Sequence, residues 1–334
     1  MEENVMSKEF SKKSIWPACH GRQVKTEAIS RRSFIKGSTL LAASTLLGGS
    51  TVGWMPKLAI AEAKVDIAAV KGADYFQNTI KAVEILGGMG KFVSKQSKVG
   101  LLINSPWVNP GSYVKPEITL AVLRLGLEAG AKEIGVFKNL GDSYWRRSAL
   151  SERYRDEVKL IRFSGGDYTE VSVPQGRSLK KAEIAKGLLD CDVFINISVA
   201  KDHTGTMFSG TMKNMMGTTS GSTNMFFHRG SGASGYYDDV EFLSQCIADV
   251  NLVRKPDLCI LDGTEGLKTN GPGGPGKLLK PQKVLAGVDR VAMDAYGANL
   301  IGVPPEDIRM IQMAREHGLG ENQLARLQIQ EVTL

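Results

Sequence analysis

The stretch DVFINISVAKDHTGTMFSGTMKNMMG, residues 192–217, decides the fold of this chain. Its first part, Val193 to Val199, is an apolar run of strand length, which is typical of a strand buried in a sheet. The loop that follows carries Lys201, Asp202 and His203, then a tract rich in Ser, Thr and Gly, and then Lys213 and Asn214. Because open α/β sheets bind ligands just beyond the carboxyl ends of their strands, we expect a site on this loop.

Strand-like runs alternate with helical patterns on both sides of this stretch. Apolar runs of strand length occupy residues 99–103, 134–137, 258–261 and 284–288. Apolar residues recur at helical spacing in residues 116–129, 178–189, 240–250 and 291–301. This alternation predicts an α/β fold with a mixed or mostly parallel sheet and flanking helices.

Other segments carry weaker patterns. Residues 144–155 are charged and aromatic and predict one exposed helix, whereas residues 158–163 predict a strand. Residues 218–235 are rich in Ser, Gly and Thr and predict a long loop, which is either functional or disordered. Asp238 and Glu241 resemble a capping box before the next helix. The last part, 304–334, predicts one or two amphipathic helices and a weak tail.

The first 61 residues have the pattern of an export signal. Residues 30–36, SRRSFIK, match the twin-arginine motif, and a weakly apolar stretch and the site Ala59-Ile60-Ala61 follow. We therefore expect a cleavable signal over 1–61 that engages the twin-arginine translocase, and one α/β domain over 62–334 in the periplasm or another extracytoplasmic space. An uncleaved anchor is the alternative, although the apolar stretch is marginal for the ~20 residues that span a bilayer. We expect no stable membrane span after cleavage.

Charge and cysteine content exclude two classes of function. The chain has a net charge of +7, but residues 1–61 hold nine of its 42 basic and four of its 35 acidic residues, which leaves +2 for the remainder. We therefore expect no nucleic-acid partner. Cys191, Cys246 and Cys259 form no C-x-x-C motif and predict buried core thiols. An iron–sulfur cluster held by the chain's own cysteines is not expected.

Four groups of residues carry a resemblance to a known family. They are Ile195-Asn196 with Lys201-x-His203, Gly210-Thr211-Met212-Lys213-Asn214 and Gly217; His228 with Lys255-Pro256; Asp262-Gly263 with Gly271-Pro272 and Gly276; and Ala286-Gly287-x-Asp289 with Asp294-Ala295. Over about residues 99–302 the chain resembles the domain of unknown function 362 family. Many members carry a ferredoxin-like module of closely spaced cysteines, which this sequence lacks. The resemblance implies no agreed activity.

The candidate site combines cationic, amide and imidazole groups. We predict Lys201 and Lys213 as anion clamps and His203 as a general base or metal ligand, with all three in catalytic roles. Side chains or backbone expected to contact the ligand are those of Asn196, Asn214, Gly217 and Asp294. Asp294 lies in an otherwise apolar helix, where an unpaired charge is costly, and we expect it to pair with a loop lysine. The sequence contains no nucleotide-binding fingerprint.

A divalent metal is the second possibility for this site. His203, His228 and Asp262 supply ligand types that such an ion accepts, although their spacing is not a metal motif. Asp262 alternatively orients a histidine. Three functions follow: an enzyme with a small-anion or metal site, a non-catalytic cofactor-handling or redox-accessory binding protein of the periplasm, and a structural or surface protein without a site. The polar chemistry of the loop disfavours the third.

Overall fold

The computed structural model of the protein describes residues 64–229 and 239–334. The predicted export signal and Asp238 lie outside the described residues. No helix in these two ranges is long and apolar enough to cross a membrane. The strands are β1 (Ile67–Lys71), β2 (Lys98–Ile103), β3 (Glu133–Val136), β4 (Ile161–Phe163), β5 (Tyr168–Ser172), β6 (Lys181–Ala185), β7 (Val193–Val199), β8 (Leu258–Gly263), β9 (Gly266–Leu267), β10 (Leu278–Leu279), β11 (Lys283–Gly287) and β12 (Ile329–Thr333).

The helices lie between the strands along most of the chain. They are α1 (Tyr75–Ile85), α2 (Pro116–Glu128), α3 (Asp142–Trp145), α4 (Leu150–Arg153), α5 (Arg155–Lys159), α6 (Lys186–Asp190), α7 (Thr211–Asn214), α8 (Gly221–Arg229), α9 (Val240–Val250), α10 (Arg290–Leu300) and α11 (Arg309–Glu316). Short 3₁₀ turns occupy Met89–Lys91, Met215–Thr218, Pro305–Asp307 and Leu324–Arg326.

Eight of the strands form one sheet in the order β12-β1-β11-β8-β7-β2-β3-β4. The pairs β8–β7, β7–β2, β2–β3 and β3–β4 are parallel, and β12 is parallel to β1. Strand β11 is antiparallel to both of its neighbours, β1 and β8. The sheet is therefore mixed and mostly parallel, and the predicted α/β fold is confirmed.

The chain reverses its direction of travel across the sheet between β2 and β7. From β2 the strands proceed outward through β3 to β4, whereas β7 lies on the other side of β2 and continues to β8. The loops that leave β2 and β7 therefore diverge and open a crevice at the carboxyl ends of these two strands. In open α/β sheets this is the usual place for a ligand.

Strand β7 is buried along its whole length because helices pack against both faces of the sheet. Ile195 and Ile197 pack into one apolar cluster with residues of α2, and Phe194 packs into another that includes Met212 of α7. Asn196 and Ser198 are fully buried. The Asn196 Nδ2 donates to the Thr211 carbonyl at 2.8 Å, and the Ser198 hydroxyl bonds the Thr211 hydroxyl at 3.1 Å. These bonds fix α7 against the strand.

Two elements differ from the sequence prediction before β7. Residues 178–189, predicted as a helix, hold β6 and the short α6 instead. Ala182 and Ile184 are buried while Lys181 and Glu183 are exposed, and β6 pairs antiparallel with β5. The single helix predicted over 144–155 is divided into α3, α4 and the start of α5, and the strand expected from residue 158 begins only at Ile161.

Two further differences lie later in the chain. Residues 221–229 of the predicted long loop form α8, and the next helix is capped by Asp239, whose carboxylate accepts from the Phe242 amide at 2.8 Å. The C-terminal region contains one short helix, α11, and then β12, which extends the sheet as its edge strand beside β1. Asp289 caps α10, and its carboxylate accepts from the amides of Val291 and Ala292.

Candidate functional site

A cavity of about 580 Å³ opens at the carboxyl ends of β2, β3 and β7. Its polar lining comes from three post-strand loops and from α7 and α8: Asn104, Ser105, Lys138, Asn139, Lys201, His203, Ser209, Lys213, Asn214, Asn224 and His228. Leu102, Ile103, Trp107, Met216 and Pro272 add apolar surface. The cavity therefore occupies the crevice between β2 and β7, on the loop where the sequence predicts a site.

A chain of asparagine side chains connects the buried strand to Lys201. The Asn214 Nδ2 donates to the Asn196 Oδ1 at 2.7 Å, and the Asn214 Oδ1 accepts from the Asn104 Nδ2 at 3.1 Å. The Asn104 Oδ1 in turn accepts from the Lys201 Nζ at 3.1 Å. Each amide both donates and accepts in this chain, so the orientation of the Lys201 amine is linked to the centre of the sheet.

Lys201 is held at the root of its loop. Its side chain is 1% exposed, and its Nζ also donates to the Ser112 carbonyl at 2.5 Å. Its backbone forms a two-way bridge with Ser209, at 2.8 and 3.1 Å, which closes residues 202–208 into a small loop. The amine is therefore fixed at both the backbone and the side-chain end.

Three lysines line the cavity without a matching acid. Lys201 is buried, Lys213 is half-buried and Lys138 lies exposed at the rim. No Asp or Glu side chain lines the cavity within residues 64–229 and 239–334. The Lys213 Nζ approaches the Met216 sulfur at 3.4 Å, which is a weak acceptor. Unneutralised cations in a concave site attract an anion.

Burial lowers the pKa values of these amines, and the charge of Lys213 adds to the effect at Lys201. Burial lowers the pKa of Lys201 to about 7, and the Lys213 charge contributes in the same direction. Burial lowers the pKa of Lys213 to about 8, and partial desolvation at the rim lowers that of Lys138. Near neutral pH the Lys201 amine is therefore divided between its charged and uncharged forms.

Both histidines of the cavity are neutral near pH 7. Burial, Lys213, His228 and Lys201 lower the pKa of His203 to about 2, and burial with Lys213 lowers that of His228 to about 4. The His203 Nδ1 accepts from the Gly205 amide at 3.0 Å, so the ring proton of the neutral tautomer lies on Nε2. This arrangement makes Nε2 a hydrogen-bond donor, and it argues against the predicted general-base and metal-ligand roles of His203.

Asp262 and Asp294 lie close to the site but serve the backbone. The Asp262 carboxylate accepts from the Lys115 amide at 2.8 Å and from the amide and hydroxyl of Thr264 at 2.9 and 2.6 Å. The Asp294 carboxylate accepts from the amides of Thr211 and Met212 at 2.5 and 2.9 Å. Asp294 thus caps α7 and does not pair with a lysine, and neither aspartate lines the cavity.

The predicted metal set is not assembled. Among residues 64–229 and 239–334 there is no group of three His, Cys, Asp or Glu side chains that could hold a metal ion. The Asp262 carboxylate is hydrogen-bonded to Lys115 and Thr264. It therefore neither completes a metal site with the two histidines nor orients one of them. Cys191, Cys246 and Cys259 are buried free thiols, as predicted.

The remaining predicted residues divide into lining and support. Lys201, Lys213, Asn214 and Gly217 line the cavity together with His203 and His228. Asn196 is fully buried beneath them and acts on the site through Asn214. At Gly217 an added Cβ would lie 3.1 Å from the Leu102 side chain, so a larger residue would crowd the cavity wall.

Sequence reasoning missed three lining residues that follow neighbouring strands. Asn104 comes directly after β2, Trp107 lies three residues further, and Lys138 comes just after β3. The signal that could have identified them is positional, since parallel strands deliver their following residues to the same edge of a sheet. The same argument placed Lys201 and His203 after β7.

Residues 98–299 match the family model described as a domain of unknown function, DUF362. The chain belongs to this family. It is similar to a thylakoid-associated protein of Synechocystis sp., with 28% identity over 257 residues that cover 73% of this chain and 74% of the relative. The motifs predicted to carry the family resemblance, from Ile195 to Ala295, fall within the matched range.

Two solved structures are similar to parts of this DUF362 chain. One is a protein from Thermotoga maritima, at 15% identity and a TM-score of 0.35, covering 57% of this chain and 51% of its own. The other is the lactate racemase apoprotein of Thermoanaerobacterium thermosaccharolyticum, at 14% identity and a TM-score of 0.41, covering 71% of this chain and 57% of its own. This chain therefore spans little more than half the length of each.

Proposed function

We propose that the cavity between β2 and β7 is an enzymatic site for a small anionic ligand that carries a carboxylate or a phosphate. The observation that carries this proposal is the convergence of Lys138, Lys201 and Lys213 on one cavity that no described carboxylate lines. An anion would replace the missing counter-charge and relieve the repulsion between Lys213 and Lys201.

The three lysines have different roles in this proposal: two bind the anion, and the third is the reactive amine. Lys138 and Lys213 line the cavity where they can hold the anionic group. Lys201 is fixed by Asn104 and Ser112, and its uncharged fraction near pH 7 can accept a proton or attack an electrophile. A catalytic amine requires a fixed position and an uncharged form that is populated near neutral pH.

Binding is tested by the thermal stability of the full-length protein in acetate, propanoate, inorganic phosphate and a matched series of chloride solutions. We expect a carboxylate or phosphate to raise the melting temperature, because a ligand that binds the folded state stabilises it. Lys213→Met should abolish the shift.

The control for this experiment is Lys132→Met. Lys132 is exposed directly before β3, at the amino end of the strand and therefore at the opposite edge of the sheet. The Lys132→Met substitution removes the same charge without changing the cavity, so the rise in melting temperature with anions should persist. Equal stability of wild-type protein in all anions at constant ionic strength would contradict the proposal.

We also propose that the domain acts after export by the twin-arginine route. The support is the SRRSFIK motif at residues 30–36 with the small-residue site that ends at Ala61. Replacement of Arg31 and Arg32 by lysine should retain the protein in the cytoplasmic fraction of a host with a functional translocase. Unchanged distribution between the fractions would contradict this route.

A further inference from the structure

We propose, building on the anion site, that Lys201 forms an imine with the carbonyl carbon of a small oxo acid whose carboxylate is held by Lys138 and Lys213. The site would then act on compounds that carry a ketone or aldehyde next to a carboxylate.

The hydrogen bonds of Lys201 suit an uncharged amine. Its Nζ donates to two acceptors, the Asn104 Oδ1 and the Ser112 carbonyl. A neutral amine has two N–H bonds and one lone pair, so these acceptors use both hydrogens. An ammonium has a third N–H, for which the described residues supply no acceptor. Because Lys201 lines the cavity, a ligand there lies beside this amine.

The surroundings of Lys201 disfavour its charged form. Among the residues that the structure describes, four other titratable groups line the cavity, namely the amines of Lys138 and Lys213 and the imidazoles of His203 and His228. None of them supplies a negative charge. A lysine that is desolvated beside another cation is a recognised form of activated amine nucleophile.

Other partly buried lysines of this chain are treated differently. The Lys115 Nζ lies 2.8 Å from a Glu265 carboxylate oxygen, and the Lys283 Nζ lies 2.9 Å from one of Glu331. These partners raise the pKa values of Lys115 and Lys283. Lys201 is more deeply buried than either, yet it has amide and carbonyl oxygens in place of a carboxylate. The fold thus stabilises the charged forms of Lys115 and Lys283 with carboxylates, and it provides only neutral acceptors for Lys201.

The chemical step balances without an added oxidant or metal. The Lys201 nitrogen bonds to the carbonyl carbon, the carbonyl oxygen takes up two protons and leaves as water, and a C=N bond remains. Both protons come from the amine, which begins with two N–H bonds and keeps none in the imine, and solvent or a neighbouring lysine relays them to the oxygen. The positive charges of Lys138 and Lys213 hold the carboxylate, so the carbonyl is delivered to a fixed amine.

The test is reductive trapping in the full-length protein. Protein is incubated with glyoxylate or pyruvate, treated with sodium borohydride, and analysed by intact mass and peptide mapping. We expect one major adduct on Lys201, formed on the order of a hundredfold faster than on Lys132, which is exposed and does not line the cavity. Lys201→Arg should remove it.

A second variant guards against misfolding of Lys201→Arg. Asn104→Asp retains Lys201 and places a carboxylate beside its Nζ, and it should slow trapping at least tenfold. Equal trapping at Lys201 and Lys132 in wild-type protein would overturn the imine proposal, as would unchanged trapping in Asn104→Asp.

Propanoate separates failure of the imine proposal from failure of the anion site, because it has a carboxylate and no carbonyl. Stabilisation by propanoate and by the oxo acids, without a trapped adduct, would refute the imine alone. Absence of both stabilisation and trapping would refute the anion site as well.

Discussion

The substitution Asn104→Asp gives the sharpest test of how the site controls Lys201. The Asn104 Oδ1 lies 3.1 Å from the Lys201 Nζ. A full charge at this distance attracts the ammonium by roughly 5 kcal/mol at an effective dielectric constant of about 20, which corresponds to nearly four pKa units.

Part of this attraction is offset in the folded protein. The new carboxylate is partly desolvated, and it loses the amide donor that faces the Asn214 Oδ1. We therefore expect the pKa of Lys201 to rise by roughly two units or more, from about 7 towards its ordinary value of 10.5.

Competitive labelling measures this pKa directly. The protein is acetylated with trace reagent at a series of pH values, and peptide mass spectrometry reports the extent of labelling of each lysine. The uncharged amine reacts, so the midpoint of the labelling curve gives the pKa of each side chain. Wild-type Lys201 should have a midpoint near 7, and Lys132 serves as the internal reference for an exposed amine.

Two results would refute the electrostatic reasoning. Wild-type Lys201 could be labelled in parallel with Lys132, which would show that burial and Lys213 do not lower its pKa. Alternatively, Asn104→Asp could leave the Lys201 midpoint unchanged while Asn104→Ala gives the same curve. In that case the acceptor at residue 104 would have no influence on the amine.

Three further predictions concern stability and binding. Buried His203 resists protonation, so the wild-type free energy of unfolding should fall between pH 7.5 and 5.5 by about 1 kcal/mol more than that of His203→Asn, measured in urea. Asp294→Ala leaves two buried amides unpaired and should cost about 3 kcal/mol, against roughly 1.5 kcal/mol for the half-buried cap Asp289→Ala; equal losses would contradict this. Trp107 is 42% exposed and lines the cavity, so anion binding should change its fluorescence, and Trp107→Phe should abolish this change while Trp145→Phe retains it.

Much of the central sheet could be predicted from sequence because its strands are buried on both faces. Strands β2, β7 and β8 are nearly continuous apolar runs. Such runs can be predicted as buried strands without knowing which strands they pair with. Strand β6 is different, since Leu179, Ala182 and Ala185 also fit a helical spacing. Its pairing with β5 decided the outcome, and long-range pairing outweighs local propensity in strands.

The site was predictable in position and less so in detail. Lys201, His203 and Lys213 share a cavity because they follow one buried strand. Asp262 and Asp294 were misjudged because their partners are backbone amides of distant loops, and residue identity reveals nothing of such bonds. The contribution of Lys138 depended on the register between β2 and β3, which places the residues after both strands at one edge.

The position of β1 has a consequence for the order in which the domain can assemble. This strand pairs with β11 on one side and β12 on the other, so Ile67 lies opposite both Gly287 and Ile329. During synthesis β1 emerges early, and neither of its neighbours exists until more than 200 further residues have been added. The sheet therefore closes late, and a chain stopped before residue 329 would present β1 as an open edge that can pair with other chains.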